Sequence, residues 1–184
     1  MGLKYKHVPF EICLQLKRKY KLRYFIESGT LSGRSSIFAS SYFDLVYTID
    51  ICEDYIHKAK ELARRGGARM DKLRFLAGDS RVILPIVLKR IDSPAFIWLD
   101  AHWSPDLQYE QPECLCPLLE EIDTLNLDGR SHVILIDDAR LFLWPPAIYK
   151  DRWPSYNEIY KKLHGLPRKV TIDSDIIFAL PNGG

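Results

Sequence analysis

Five times along this chain a short apolar, β-rich run leads into a carboxylate. Glu27 follows Tyr24-Phe25-Ile26, Asp50 follows residues 45–49, and Asp79 follows residues 72–76 after the turn Ala77-Gly78. Asp100 then follows residues 95–99, and Asp137-Asp138 follows residues 133–136. Strands buried on both faces read as continuous apolar runs, and a parallel sheet gathers the carboxyl ends of its strands along one edge. The five acidic positions are therefore expected to share one crevice. Taken singly, each is equally well a helix cap or a solvated loop acid.

Helical patterns separate these runs. Residues 8–20 carry Phe10, Ile12, Cys13, Leu14 and Leu16 at near-helical spacing, which predicts a lead-in helix within residues 1–21. Glu53-Asp54 open a helix that stops at Gly66-Gly67, as an acidic first turn and a glycine stop require. Asp79 or Ser80 caps a helix over about residues 81–90 that contains Pro85. Pro117 starts a helix ending at Asp128-Gly129, and Pro154-Ser155 start one that carries Tyr156, Ile159, Tyr160 and Leu163. Near the end, Asp173-Ser174-Asp175 between two apolar runs marks a hairpin. The alternation predicts a doubly wound α/β sheet, and 184 residues suit one such domain, 1–184.

Composition excludes more than it selects. Lys+Arg 26 against Asp+Glu 24 gives no global field for nucleic acid or an anionic membrane. The local cluster Lys17-Arg18-Lys19 with Lys21 and Arg23 reads as a solvated helix face. Cysteines 13, 52, 114 and 116 form no disulfide framework, and no leader or long apolar span is evident, so a cytoplasmic setting without membrane is expected. Lys6 stands where a myristoylation signal needs Ser or Thr, so no lipid anchor is expected. Oligomeric state is not encoded in any readable way.

The chemistry concentrates in two places. Glu27-Ser28-Gly29-Thr30-Leu31-Ser32-Gly33-Arg34-Ser35 reads as strand, glycine turn and helix, with glycines where a backbone turns sharply or a ligand approaches. A carboxylate at Glu27 would repel a pyrophosphate, which disfavours a dinucleotide oxidoreductase and favours a cationic ligand. Residues 103–117, with Pro105, Pro112 and Pro117, form a loop long enough to be an active-site cover. Trp103 and Tyr109 in this loop, with Trp144 and Trp153 in a second proline-rich loop, could wall an apolar substrate pocket, or simply pack the loops down.

With Glu27 to Gly33, the acidic strand end at Asp50, Gly78-Asp79-Ser80 and Leu99-Asp100, the chain from about residue 22 onward resembles class I S-adenosylmethionine-dependent methyltransferases. The Asp100-Ala101-His102 turn and Asp137-Asp138 are most similar to metal-dependent small-molecule O-methyltransferases of the catechol and macrocin types. Residues 116–122 and 136–142 resemble a bacterial group within that class. The resemblance implies a Rossmann-like seven-stranded sheet, mostly parallel, with an antiparallel strand in the C-terminal hairpin. It also implies transfer of a methyl group to an oxygen of a small molecule or sugar.

Roles follow from the resemblance and from the chemistry of each residue. Glu27 and Asp100 would bind the cofactor's ammonium, Asp50 the ribose hydroxyls, Ile51 the adenine face, and Asp79 with Ser80 the adenine edge. Ser28, Gly29, Thr30, Gly33, Ser35 and Gly78 complete the expected cofactor set. Asp100, Asp137 and Asp138 offer hard oxygen ligands suited to Mg²⁺, and His102 is the candidate general base. Asp138 could instead cap a loop, and Asp100 could serve the cofactor alone. Cys114 and Cys116 with His102 lack the ligand spacing of a zinc site. Arg140 could bind an anionic substrate or pair with its neighbouring aspartates. The alternatives to catalysis of this kind are a cofactor-binding docking module without chemistry and, less favoured, RNA methylation, for which no appended basic domain is present.

Overall fold

The computed structural model describes residues 8–107, 110, 112–145, 147 and 152–182. Seven strands form one sheet: β1 Tyr24–Ser28, β2 Leu45–Asp50, β3 Leu73–Ala77, β4 Ala95–Leu99, β5 Val133–Ile136, β6 Arg168–Asp173 and β7 Ile176–Pro181. Their order is β3-β2-β1-β4-β5-β7-β6. The first five run parallel, and β7 pairs antiparallel with both β5 and β6. Chain direction across the sheet reverses between β1 and β4, which is where a doubly wound sheet opens a ligand crevice.

Strand alternation sorts the core into two layers. Ile26, Ile49, Ile97, Leu99, Ile134 and Ile136 face one side, where they meet helices α4 Ser80–Leu88, α5 Leu118–Asp128, α6 Ala139–Leu143 and α7 Tyr156–Leu163. Phe25, Val46, Phe96, Trp98, Val133 and Leu135 face the other, against α1 Phe10–Tyr20, α2 Arg34–Ser40 and α3 Glu53–Arg65. Every residue of β1 and β4 is buried, because helices cover both faces. Phe10 of α1 stacks on Phe38 of α2 at 3.8 Å between ring centroids, which seats the lead-in helix on this second layer.

Helix ends follow their local chemistry. The Asp79 side chain accepts from the Arg81 amide to cap α4, which takes in Pro85 as its sixth residue. Ser155 and Glu158 form a reciprocal capping box on α7. Ser174 and Asp175 both adopt positive φ, 50° and 69°, as a tight hairpin turn with the twist of its strands requires.

Strand exits are tied level with one another. Gly29 N donates to Ile49 O at 2.8 Å, Gly78 N to Asp50 O at 2.8 Å, Asp100 N to Ser28 O at 2.9 Å and Asp137 N to Leu99 O at 3.1 Å. These bonds bring four of the five predicted carboxylate positions, Asp50, Asp79, Asp100 and Asp137-Asp138, to one edge of the sheet.

Candidate active site

A cleft of about 300 Å³ opens at that edge, over the junction of β1 and β4. Gly29, Asp50, Ile51, Gly78, Asp79, Ser80, Asp100 and His102 all line it. Trp103, Ser104, Leu107, Pro112, Glu113, Cys114 and Pro117 form the opposite wall, so the described part of the 103–117 segment faces the cleft. Tyr109 lies outside the described residues. Leu31 of the glycine turn, Tyr55 and Arg81 also line the cleft, although none was among the expected site residues. Arg81 was legible through its position, two residues beyond a capping aspartate and next to Ser80.

Asp50 is seated by three backbone amides. Its Oδ2 accepts from Thr30 N at 2.9 Å and Leu31 N at 3.0 Å, and its Oδ1 accepts from Cys52 N at 2.9 Å. Burial raises its pKa, and the three amides oppose that shift. A carboxylate has about four acceptor sites, so roughly one remains for a ligand hydroxyl, not the pair expected from sequence. Ile51 beside it is 49% exposed, an apolar shelf on the cleft wall.

Glu27, expected from the sequence to bind the cofactor's ammonium, does not line the cleft. It is 2% exposed beneath the glycine turn and accepts from Ser36 Oγ at 2.5 Å and Thr48 Oγ1 at 2.7 Å. Burial pushes its pKa up to about 7, with the hydroxyls of Ser36 and Thr48 opposing. Its place is structural: the alternation of β1 points Glu27 into the layer between the sheet and α2. Thr30 Oγ1 joins Thr48 Oγ1 at 2.6 Å in the same network. Ser35 Oγ accepts from Val8 N at 3.2 Å, and Gly33 packs against Ala59, so both stand outside the cleft. Ser28 is likewise buried outside the lining.

Gly29 holds the junction by contact. A Cβ there would lie 2.3 Å from Asp100 O, and its φ is +89°, so no other residue fits without displacing the end of β4. Asp79 is largely committed, because Arg81 binds both of its carboxylate oxygens, with Nη2 at 2.6 Å from Oδ2. That pairing lowers the Asp79 pKa.

At the far end of the cleft, His102 Nε2 lies 3.0 Å from Asp138 Oδ2 and 3.6 Å from Asp100 Oδ1. One ligand atom from each of Asp100, His102 and Asp138 lies within 4.8 Å of the others, a spacing that suits a metal ion. The expected trio was Asp100, Asp137 and Asp138. Asp137 instead points below the floor, where its Oδ1 accepts from Asp138 N at 2.8 Å. Neither Cys114 nor Cys116 joins such a group among the described residues. Arg140 Nη1 pairs with Asp138 Oδ1 at 2.5 Å and also with Asp175 of the hairpin turn, so it is engaged by acids of the protein itself.

The acids repel one another strongly. Burial, then Asp137 and Asp138, hold Asp100 well above the usual carboxylate range. Burial and Asp138 raise Asp137 to about 7. At Asp138 burial works against ionisation, but hydrogen bonds from His102 and Arg140 outweigh it and lower the pKa.

Strand order, C-terminal hairpin and a cleft at the β1/β4 junction make a Rossmann-like fold, which the chain shares with solved methyltransferase structures. Among solved structures the chain is similar to the O-methyltransferase TomG from Streptomyces achromogenes, involved in tomaymycin synthesis and bound to SAM. The identity is 18%, with 95% of this chain and 79% of that chain covered and a TM-score of 0.66. An O-methyltransferase from Bacillus cereus in complex with SAH matches at 18% identity over 93% of this chain and 80% of that one, TM-score 0.64. SAH-bound methyltransferase PaMTH1 of Podospora anserina matches at 15% identity over 95% and 78%, TM-score 0.63. No protein-family model and no curated protein sequence matches the chain. Among the described residues, no helix is long and apolar enough to cross a membrane.

Proposed function

We propose that this protein is an enzyme that transfers a methyl group from S-adenosylmethionine to an oxygen of a small-molecule acceptor. The single observation that carries this reading is the cleft itself. An amide-anchored carboxylate (Asp50) with an apolar shelf (Ile51) lies at one end, and an Asp100–His102–Asp138 cluster at the other. The residues present fit the cofactor: Asp50 has capacity for a ribose hydroxyl, Ile51 and Tyr55 present apolar surface to a base, and Asp100 is an acid suited to an ammonium.

When bound, S-adenosylmethionine supplies an electrophilic methyl group on a sulfonium. The chain's own residues would hold it so that the methyl faces the acidic cluster, while Trp103, Leu107, Pro112 and Pro117 on the cleft wall limit access of water. Asp100, His102 and Asp138 also fit a divalent cation, which would lower the pKa of an acceptor hydroxyl and orient it. Calorimetric titration of the purified chain with S-adenosylhomocysteine, followed by a methyl-transfer assay across hydroxylated acceptors with and without divalent ions, tests the reading. Saturable binding and a methylated product support it; no binding at millimolar ligand refutes it. Binding without product in any arm would instead favour the docking-module alternative.

A further inference from the structure

Two buried polar atoms without hydrogen-bond partners belong to residues that line the same small space. Nδ1 of His102 and Oε1 of Glu121 each lack a hydrogen-bond partner among the described residues. Both side chains line a cavity of about 10 Å³ behind the cleft floor, walled by Leu99, Ile136, Cys116 and Phe142, and touched by Asp100 and Asp137. Such a space admits roughly one water molecule, and two or more polar atoms around it are what a buried water needs. Glu121 itself is 1% exposed on α5, on the helix face that buries Leu118, Ile122 and Leu125. The hydroxyls of Ser80 and Ser28 reach its carboxylate, but Oε1 keeps no hydrogen-bond partner.

His102 connects this cavity to the acidic cluster. Its ring sits edge-on to Trp153 at 5.5 Å, Nε2 faces Asp138 and Asp100, and Nδ1 is buried without a partner on a residue that also lines the cavity. The Arg140 guanidinium that approaches the cluster is already shared between Asp138 and Asp175. Imidazoles that bind metals almost always donate their other ring N–H to a carboxylate or a water, which fixes the tautomer. We propose that His102 is a direct ligand, through Nε2, of a divalent cation shared with Asp100 and Asp138, and that Glu121 is a positioning residue that orients the imidazole through one buried water at Nδ1.

This inference rests on the proposed metal site and changes its character. Two carboxylates and an imidazole favour Mn²⁺, Co²⁺ or Zn²⁺, whereas the all-oxygen trio expected from the sequence suits Mg²⁺. With Nε2 on the cation, His102 is not the proton acceptor.

The test uses the full chain, freed of metal by chelation, and Mn²⁺ alone as the probe. Pulsed electron paramagnetic resonance should show nitrogen coupling from one histidine, which disappears in His102→Ala. Calorimetry should give Mn²⁺ tighter than Mg²⁺, with Glu121→Gln weakening Mn²⁺ about tenfold to a hundredfold. A crystal structure should place a water between Glu121 and His102. Bound Mn²⁺ without histidine coupling, or coupling that survives His102→Ala, overturns the ligand assignment but leaves the metal site standing. Unchanged Mn²⁺ affinity in Glu121→Gln overturns the positioning role. A folded chain that binds S-adenosylhomocysteine yet no Mn²⁺ overturns both this inference and the metal site, while the methyl-donor reading survives. Should Glu121→Gln not fold, the wild-type spectrum and the crystallographic water decide the matter.

Discussion

His102 and Asp138 stand 3.0 Å apart although 36 residues separate them in the chain. The pairing arises because β4 and β5 are neighbours in register, Leu99 opposite Ile136, so the turns that follow them meet. Asp138 is held in the left-handed region, φ 57°, with the hairpin turn behind it tied through Arg140. Asp137 has no such partnership with His102. The two adjacent acids are therefore expected to behave differently when replaced.

Asp138→Asn should weaken divalent-ion binding at least tenfold, because it removes a charged oxygen facing both His102 and Asp100. Asp137→Asn should leave ion affinity within a few-fold of wild type and act mainly on stability, through the Asp138 amide that Asp137 holds. Parallel calorimetry with Mn²⁺ and thermal melts separate the two effects. Equal losses of affinity in both variants would restore Asp137 to the ligand set.

Asp50→Ala should weaken S-adenosylhomocysteine binding roughly tenfold to a hundredfold, the range for one hydrogen bond to a charged group, about 1.5–3 kcal/mol. The same change frees three amides that Asp50 now satisfies, so the melting temperature should fall too. Titration at a temperature well below the variant's melting point isolates the binding term. Unaltered affinity would mean the ribose does not lie at Asp50.

Gly29→Ala should cost roughly 3 kcal/mol or more, since a Cβ in that left-handed conformation meets the backbone of Asp100. Gly67→Ala is the matched control. Its φ is +67°, but nothing lies within 4 Å of the added methyl, so only the conformational cost of about 1 kcal/mol applies. Denaturant unfolding of both variants measures the difference, which reports how closely β1 and β4 are pressed together beneath the cleft. Equal losses would remove contact at Asp100 as the reason for the glycine.

The sheet was legible because burial on both faces leaves continuous apolar runs, and the hairpin because Asp173-Ser174-Asp175 interrupts two of them. That Asp50, Asp79 and Asp100 share one cleft was legible for the same reason: a strand end fixes where its next residue lies. What one strand end does not fix is the direction of the side chain. Glu27 and Asp50 close equivalent strands, yet Glu27 is the fourth residue of β1 and turns into the core, whereas Asp50 is the last of β2 and reaches the rim. Asp137 and Asp138 show the same limit one residue apart. Glu121 had a signal in the sequence: it lies three residues after Leu118 and four before Leu125, on the apolar stripe of its helix. Reading that stripe for its one charged member would have found it.

Glu27 supplies a test of stability against pH. Its folded pKa of about 7 lies above the ordinary value of 4.5, so the folded state binds its proton more tightly than the unfolded chain does. The contribution to stability is therefore full below about pH 4.5 and is lost as pH rises toward 7, amounting to roughly 3 kcal/mol for a fully buried group. Glu121, with burial raising it to about 7 as well, adds a contribution of the same sign over the same window. Replacement of Glu27 by Gln keeps the shape and an acceptor for Ser36 and Thr48 but cannot ionise. Wild type should lose stability between pH 5 and 7 relative to Glu27→Gln. The two stability curves should then run parallel above pH 8. Urea titrations at matched pH measure the gap between them. A gap that stays constant across that window would mean Glu27 is ionised in the folded protein throughout, with Ser36 and Thr48 solvating its charge as well as water does.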